Sequence, residues 1–168
     1  SHPLHQFTYC PKCGARTFVE RNEKAKQCTT CGFVYYFNPS SAVACFIRNS
    51  KGELLLVRRA KEPAKGTLDL PGGFVDMYES AEDAAHREVK EETGLDVTNI
   101  TYFGNQAWPY PSGLMVGFIA DYAGGEIKLQ EEELSSGDFY TRDNLPELPR
   151  KLSLARKMID WWLECSHK

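Results

Sequence analysis

Glu88, Glu91 and Glu92 are spaced by three and four residues, and Glu79 lies upstream of them. On a helix, at about 100° per residue, the first three side chains fall within an arc of roughly 100° and share one face. Left alone, like charges at these spacings destabilise a helix by a few tenths of a kcal/mol per pair. A bound cation reverses that sign. Hard carboxylate oxygens gathered on one face are what magnesium uses when a few protein ligands and substrate phosphates hold it together. By itself, adjacent glutamates on a helix more often mean a solvated acidic face.

A second group is sulfur. Cys10 and Cys13 flank Pro11-Lys12, Cys28 and Cys31 flank Thr29-Thr30, and each pair is followed by glycine, Gly14 and Gly32. Two such turns can aim four thiolates at one ion, with the glycines supplying the positive φ that the turns need. A lone CxxC is often redox-active, but two pairs with a hairpin's length between them point to a zinc ribbon. A site that uses four cysteine ligands has no open position, so this Zn²⁺ stabilises folding and performs no chemistry.

The elements that must position these groups are punctuated in the sequence. Ser80 with Asp83 makes a capping box and Gly94 a C-cap, which predicts a helix over Ala81–Thr93 carrying the glutamates. Ala81, Ala84 and Ala85 lie on or beside the same face, where small side chains admit another backbone. Ala42–Arg48 and Leu54–Arg59 read as strands joined by a hairpin signal, Asn49-Ser50-Lys51-Gly52. Val97–Phe103, Leu114–Tyr122 and a short Asp138–Thr141 read as further strands, and Leu152–Cys165 as a second helix with Leu154, Met158 and Trp161 or Trp162 at core spacing. Helices that come singly between strands predict an α/β protein with a mixed sheet packed between helices. The pattern divides into a ribbon over residues 1–37 and an α/β domain over residues 38–168.

With 42% hydrophobic and 26% charged residues the chain is ordinary globular material. The net charge of −3 argues against a protein that lives by coating nucleic acid. In the ribbon, five Lys or Arg stand against two Glu, and a zinc tetrathiolate, at −2, leaves about +1, a weak footprint. No apolar run of about 18 residues and no basic-then-apolar N-terminal segment is present, so a soluble cytoplasmic protein without membrane contact is expected. Cys45 and Cys165 are expected to be buried thiols, and His86 to face solvent or an edge.

Gly73, Glu79, Arg87, Glu88, Val89, Glu91, Glu92, Gly94 and Leu95 match G-x5-E-x7-R-E-U-x-E-E-x-G-U, with U aliphatic, at every specified position. Through this box and its flanking sheet pattern, from about Asn38 to the C-terminus, the chain resembles the Nudix hydrolases. The resemblance implies a Nudix α/β/α sandwich and an enzyme that uses Mg²⁺ or Mn²⁺ to hydrolyse phosphoric anhydrides, and it decides the glutamates in favour of metal. It implies that the Gly73 carbonyl, Glu88 and Glu92 hold metal, that Glu91 shares a second ion, and that Arg87 pairs with Glu79 to fix the Gly73 loop. The glutamate that takes a proton from water is Glu91 or, from the acidic run Glu131-Glu132-Glu133, Glu133, which would also reach the metals.

Downstream, Asn105-Gln106-Ala107-Trp108-Pro109-Tyr110-Pro111-Ser112-Gly113 resembles the S-Q-P-W-P-F-P-x-S array of the NADH pyrophosphatase branch, whose members also carry a four-cysteine ribbon. Gln106, Trp108, Pro109 and Pro111 agree, while Asn105, Ala107 and Gly113 depart. This branch resemblance implies a dinucleotide substrate, NAD(H) split to NMN(H) and AMP, with NAD-capped RNA ends and a homodimer open as partners. Gln106, Trp108 and Tyr110 are candidate substrate contacts, the aromatics by stacking on a base, and Arg58 and Arg59 by meeting phosphates. Packing a proline-stiffened loop is an equal role for the aromatics, and solvated strand-end charge the more common one for the arginines. ADP-ribose, FAD or another nucleotide is the alternative substrate, and a non-catalytic ligand-sensing or nucleic-acid-binding module the alternative from another class.

Overall fold

The structure, a computed structural model, describes residues 2–108 and 113–165. The chain divides into two compact units, Ser1–Pro39 and Ser40–Lys168.

In the first unit β1 (Phe18–Asn22), β2 (Ala25–Cys28) and β3 (Val34–Tyr36) form an antiparallel meander. Its small core is built from Cys10, Phe18 and Cys28, flanked by Ala15, Phe33 and Phe37. A core this size cannot stabilise about 40 residues by burial alone. The two cysteine turns are built alike: the Gly14 N–H donates to the Cys10 carbonyl at 2.8 Å and the Gly32 N–H to the Cys28 carbonyl at 2.9 Å. Both glycines sit at positive φ, +77° and +79°.

The second unit runs β4 (Ser40–Arg48), β5 (Leu54–Arg59), β6 (Leu68–Asp69), β7 (Gly72–Phe74), α1 (Ala81–Thr93), β8 (Asp96–Trp108), β9 (Gly113–Gly124), β10 (Leu134–Tyr140) and α2 (Leu154–Cys165). Seven strands form one mixed sheet, β10-β5-β4-β9-β8, with β6 on β5 and β7 on β4. Among the described residues only β4 and β9 pair in parallel, in register from Ser40↔Gly113 to Arg48↔Asp121. Side chains alternate across β4 and β5. Val43, Cys45, Ile47, Leu55 and Val57 face Ala84, Ala85 and Val89 of α1, while Phe46, Leu54 and Leu56 face Leu154, Met158, Ile159 and Trp162 of α2. Strands buried on both faces read as continuous apolar runs, as these do. The result is an α/β/α sandwich.

The β4–β5 hairpin opens almost at once. The Asn49–Gly52 turn forms, with the Gly52 N–H donating to the Asn49 carbonyl at 3.0 Å, but the strands pair only at Arg48↔Leu54. Beyond it β7 takes the β4 edge, Ala42 to Ala44 against Phe74 to Gly72, and β6 takes the β5 edge. Glycine makes this possible, since a Cβ on Gly72 would lie 1.9 Å from the Val43 carbonyl oxygen. This splay delivers the strand that precedes α1 to the middle of the sheet.

The α1 helix has the bounds expected from its caps: the Ser80 side chain accepts from the Asp83 N–H, and Gly94 closes the helix at φ +75°. The second helix starts two residues later than expected because the Ser153 hydroxyl accepts from the Arg156 N–H at 3.1 Å and so caps the next turn. Strand β8 continues past Phe103 to Trp108, with register shifts that let it curve along β9. Cys45 is buried as expected, but Cys165 is exposed: it is the last residue of α2, past the buried stripe that ends at Trp162. Among the described residues no helix is long and apolar enough to cross a membrane.

Replacing Ser80 by Ala is expected to cost about 1 kcal/mol through the lost cap, and Met158→Ala about 2–5 kcal/mol through the cavity left between helix and sheet. Denaturant midpoints at constant slope measure both.

Candidate functional site

Strand β7 passes beneath α1, which brings Gly72 and Gly73 against the glutamate face. A Cβ on Gly73 would lie 2.4–2.6 Å from the Glu88 carboxyl group, so the bare backbone of residue 73 is what admits that carboxylate. The Gly72 N–H donates to Glu92 Oε2 at 3.1 Å, and Glu92 is only 8% exposed. Burial pushes the Glu92 carboxyl up to about 8; the Gly72 N–H opposes the shift, and Glu88, Glu133 and Asp69 add to it. Glu88 is also raised, first by burial, while Arg87 pulls it back. A carboxylate held out of water beside other carboxylates resists ionising until a cation arrives.

Arg87 organises the loop between β7 and α1. Its guanidinium donates to Glu79 through two bonds of 2.7 and 2.9 Å, to the Phe74 carbonyl at 3.0 Å, to Glu88 at 2.9 Å and to Glu91 at 3.1 Å. Asp76 pairs with it at 3.4 Å. The Arg87 bonds, with help from the Asp76 N–H, hold Glu79 down to about 2, and the guanidinium itself is driven above its ordinary range by Glu79. One guanidinium nitrogen, Nη1, donates to both Glu88 and Glu91 and so bridges them. Among the described residues, the cysteine quartet is the group of metal-binding side chains whose ligand atoms all lie within 4.8 Å of one another.

Glu133 stands at the start of β10. Its carboxylate is 2.5 Å from Lys61 Nζ, its backbone oxygen accepts from the Ala60 N–H at 2.8 Å, and its charge acts on Glu92. Sequence reasoning passed over Asp69, whose charge also reaches Glu92. Burial raises this carboxyl, while the Leu70 N–H and Arg59 lower it. The available signal was an acid inside the apolar run Leu68-Asp69-Leu70.

Gln106 pairs with Met115 on the α2 side of the sheet. Its amide donates to the Leu152 carbonyl at 2.6 Å and accepts from Lys157 at 2.5 Å, so it is not gathered with the glutamates. Trp108 is half-buried at the end of β8, and Tyr110 falls outside the described residues. Arg58 donates to the Gly66 carbonyl and lies 3.8 Å from Glu147. Arg59 donates to the Pro63 carbonyl at 2.8 Å. His86 is exposed.

In the first unit Cys10 and Cys31 sulfurs are 3.7 Å apart, as are those of Cys13 and Cys28. Four thiols this close cannot all ionise unaided. The Thr17 hydroxyl, with the Cys31 N–H, lowers Cys28 to about 6. Cys13, which the Ala15 N–H would lower, is instead pushed up to about 12 by burial and its three cysteine neighbours. The donor set fits Zn²⁺, which takes four thiolates tetrahedrally.

Residues 38–162 match the NUDIX domain family and residues 5–36 the NADH pyrophosphatase zinc ribbon domain. The chain is 41% identical over 167 residues to the NAD-capped RNA hydrolase NudC of Haemophilus influenzae (strain PittGG), covering 98% of this chain and 63% of that protein. It is 36% identical to the NudC of Vibrio vulnificus (strain CMCP6), covering 95% and 60%. The chain therefore spans about three-fifths of the length of these curated relatives. A NUDIX hydrolase from Nitrosomonas europaea, 22% identical, superposes over 96% of this chain and 93% of its own with a TM-score of 0.77, a likeness of fold. A MutT protein from Methanosarcina mazei Go1 is 27% identical with a TM-score of 0.60, over 80% of this chain and all of its own.

With Zn²⁺ in place, thiol titration of the native protein is expected to find one fast-reacting thiol, Cys165; after chelation the four ligands join it, making five. Five fast thiols before chelation would exclude the metal. The Glu92 carboxyl gives a second test. Raised from its ordinary 4.5 to about 8, it binds its proton more tightly folded than unfolded. Its contribution to the metal-free protein is thus full below about pH 4.5 and lost as pH rises to about 8. Metal needs the ionised form, so the rise in thermal midpoint on adding Mg²⁺ should grow across that window. A rise that does not vary with pH removes Glu92 from the metal set.

Proposed function

From a chain that belongs to the Nudix hydrolase family, we propose an enzyme that splits the diphosphate bond of NAD(H) into NMN(H) and AMP and acts on the same linkage at NAD-capped RNA ends. The single observation that carries this is the acidic set itself. Glu92 is buried with a backbone N–H as its hydrogen-bond partner, Glu88 lies against the bare Gly73 backbone, and Arg87 holds the adjoining loop. Such an arrangement suits a divalent cation, with the Gly73 carbonyl, Glu88 and Glu92 as its principal holders and Glu91 and Glu133 completing the set. When bound, Mg²⁺ or Mn²⁺ would neutralise the diphosphate oxygens and the charge that grows on the leaving phosphate.

The chain's own residues do the rest. Glu79 and Arg87 keep the Gly73 loop in place, so the carbonyl does not have to reorganise when substrate arrives. Water attacks one phosphorus, the bridging P–O bond breaks, and the proton of the attacking water passes to a glutamate. Glu91, the most exposed of the box carboxylates at 53%, and Glu133, at 33%, are the two acceptors open to solvent. The NudC relatives support the dinucleotide substrate, and the ribbon keeps its zinc for folding. We assign the boundary between ribbon and hydrolase to residues 37 and 38. A reducing cytoplasmic setting suits six cysteines of which none forms a disulfide.

Product analysis with Mg²⁺ tests the reading: NAD(H) should yield AMP and NMN(H), and absence of AMP beside cleavage of ADP-ribose or FAD would move the substrate class. Glu92→Gln and Glu91→Gln, made singly, should each lower kcat/KM, by about 10²- to 10⁴-fold if the residue serves as proton acceptor. Near-normal turnover in both would overturn the metal site, and a larger loss in Glu133→Gln than in Glu91→Gln would identify the base.

A further inference from the structure

Among the described residues three besides glycine adopt positive φ: Ala64, Tyr78 and Asn99. Alanine is small, and asparagine tolerates this region. For tyrosine the conformation is less common: at φ +66° its Cβ crowds its own backbone as any Cβ does, and the ring adds bulk to it. Burial gives no compensation, because Tyr78 is 102% exposed. An aromatic ring held in an unfavourable backbone conformation with no packing in return points to a use outside the fold.

Its position says which use. The Glu79 N–H donates to the Asp76 carbonyl at 3.2 Å, closing a turn with Met77 and Tyr78 at its two corners. At the second corner a positive φ is normally supplied by glycine or asparagine. Both ends of the turn are fastened to one group: Asp76 and Glu79 bind the Arg87 guanidinium, which also binds Glu88, Glu91 and the Phe74 carbonyl. Tyr78 therefore rides on a turn tied through Arg87 to Glu88 and Glu91, carboxylates proposed to hold the metal. With Asp76 and Glu79 both paired to Arg87, the exposed side chains of Met77 and Tyr78 are what the tip presents, and the ring is the one with a flat face.

Resting on the hydrolase reading above, we infer that Tyr78 is a specificity-determining residue, offering its ring as a stacking face for a base of the bound dinucleotide. An exposed aromatic face binds bases by stacking with little selectivity. The residue acts on binding and takes no part in proton transfer.

The test uses the intact chain with Tyr78→Gly, Tyr78→Leu and Tyr78→Phe. KM and kcat for NADH are measured with Mg²⁺, and the dissociation constant for NADH with Ca²⁺ in place of Mg²⁺. Glycine and leucine variants should raise KM and the dissociation constant about five- to tenfold, the scale of one lost base–aromatic stack, with kcat within about twofold. Tyr78→Phe should behave as the parent, and Tyr78→Gly should melt no lower, since glycine relieves the backbone. A parental KM in Tyr78→Gly, or leucine performing as well as phenylalanine, overturns the inference. So does a change in oligomeric state by light scattering with affinity untouched, which would make the tip a contact between copies. Binding without cleavage would sink the hydrolase reading while the dissociation constants still judge Tyr78; no binding by the parent chain sinks both.

Discussion

Arg87 holds Glu79, Glu88, Glu91, Asp76 and the Phe74 carbonyl at once. Without it the two carboxylates of the segment from β7 to α1, Asp76 and Glu79, and the two of α1, Glu88 and Glu91, would have nothing but solvent to separate them. The guanidinium suits this place because it is planar, permanently charged and able to donate in several directions. It draws the loop onto the helix through Glu79 and Glu88 while Glu92 takes the Gly72 N–H instead. The pairs with Asp76 and Glu91 are exposed enough that each alone contributes little. Their effect lies in sharing one donor with the half-buried pairs to Glu79 and Glu88, which tie the loop, the helix and the Gly73 backbone together.

This arrangement is positioned by the sheet. The β4 and β5 strands separate after a single pair, and β6 and β7 fill the gap. Two glycines are needed in succession for different reasons. Gly72 lets β7 lie against Val43, and Gly73 lets Glu88 lie against β7. A side chain at either would push apart two elements whose close approach buries Glu92. The same approach places Cys45, pushed up to about 12 by burial and then by Glu92 and Glu88, beneath the acidic set as an inert apolar floor.

The ribbon solves a related problem with softer ligands. Four thiols within 4.8 Å of each other are as unfavourable as crowded carboxylates when ionised, and a core of Cys10, Phe18 and Cys28 is too small to hold them by packing. Zinc supplies both the neutralisation and the missing stability. In each unit, ionisable groups are crowded so that one of them, Glu92 or Cys13, holds its proton more tightly than in water.

Local features of the chain were legible in the sequence. The α1 helix, its caps at Ser80 and Gly94, the shared face of Glu88, Glu91 and Glu92, and the paired cysteine turns follow from periodicity and turn chemistry, which act between residues close in the chain. What acts between distant residues was not. Nothing local marks the splay of β4 from β5, the insertion of Gly72–Phe74, or the reach of Asp69 and Glu133 toward Glu92. Gln106 illustrates the difference: its neighbours in the chain suggest a substrate contact, whereas register with Met115 turns it toward Leu152 and Lys157. The sequence by itself determined which carboxylates and thiols are present and which share a helix face or a turn, because those relations are set within a few residues. The tertiary structure alone decided which of them are buried, paired or open to solvent, because burial and charge depend on what the rest of the sheet brings alongside.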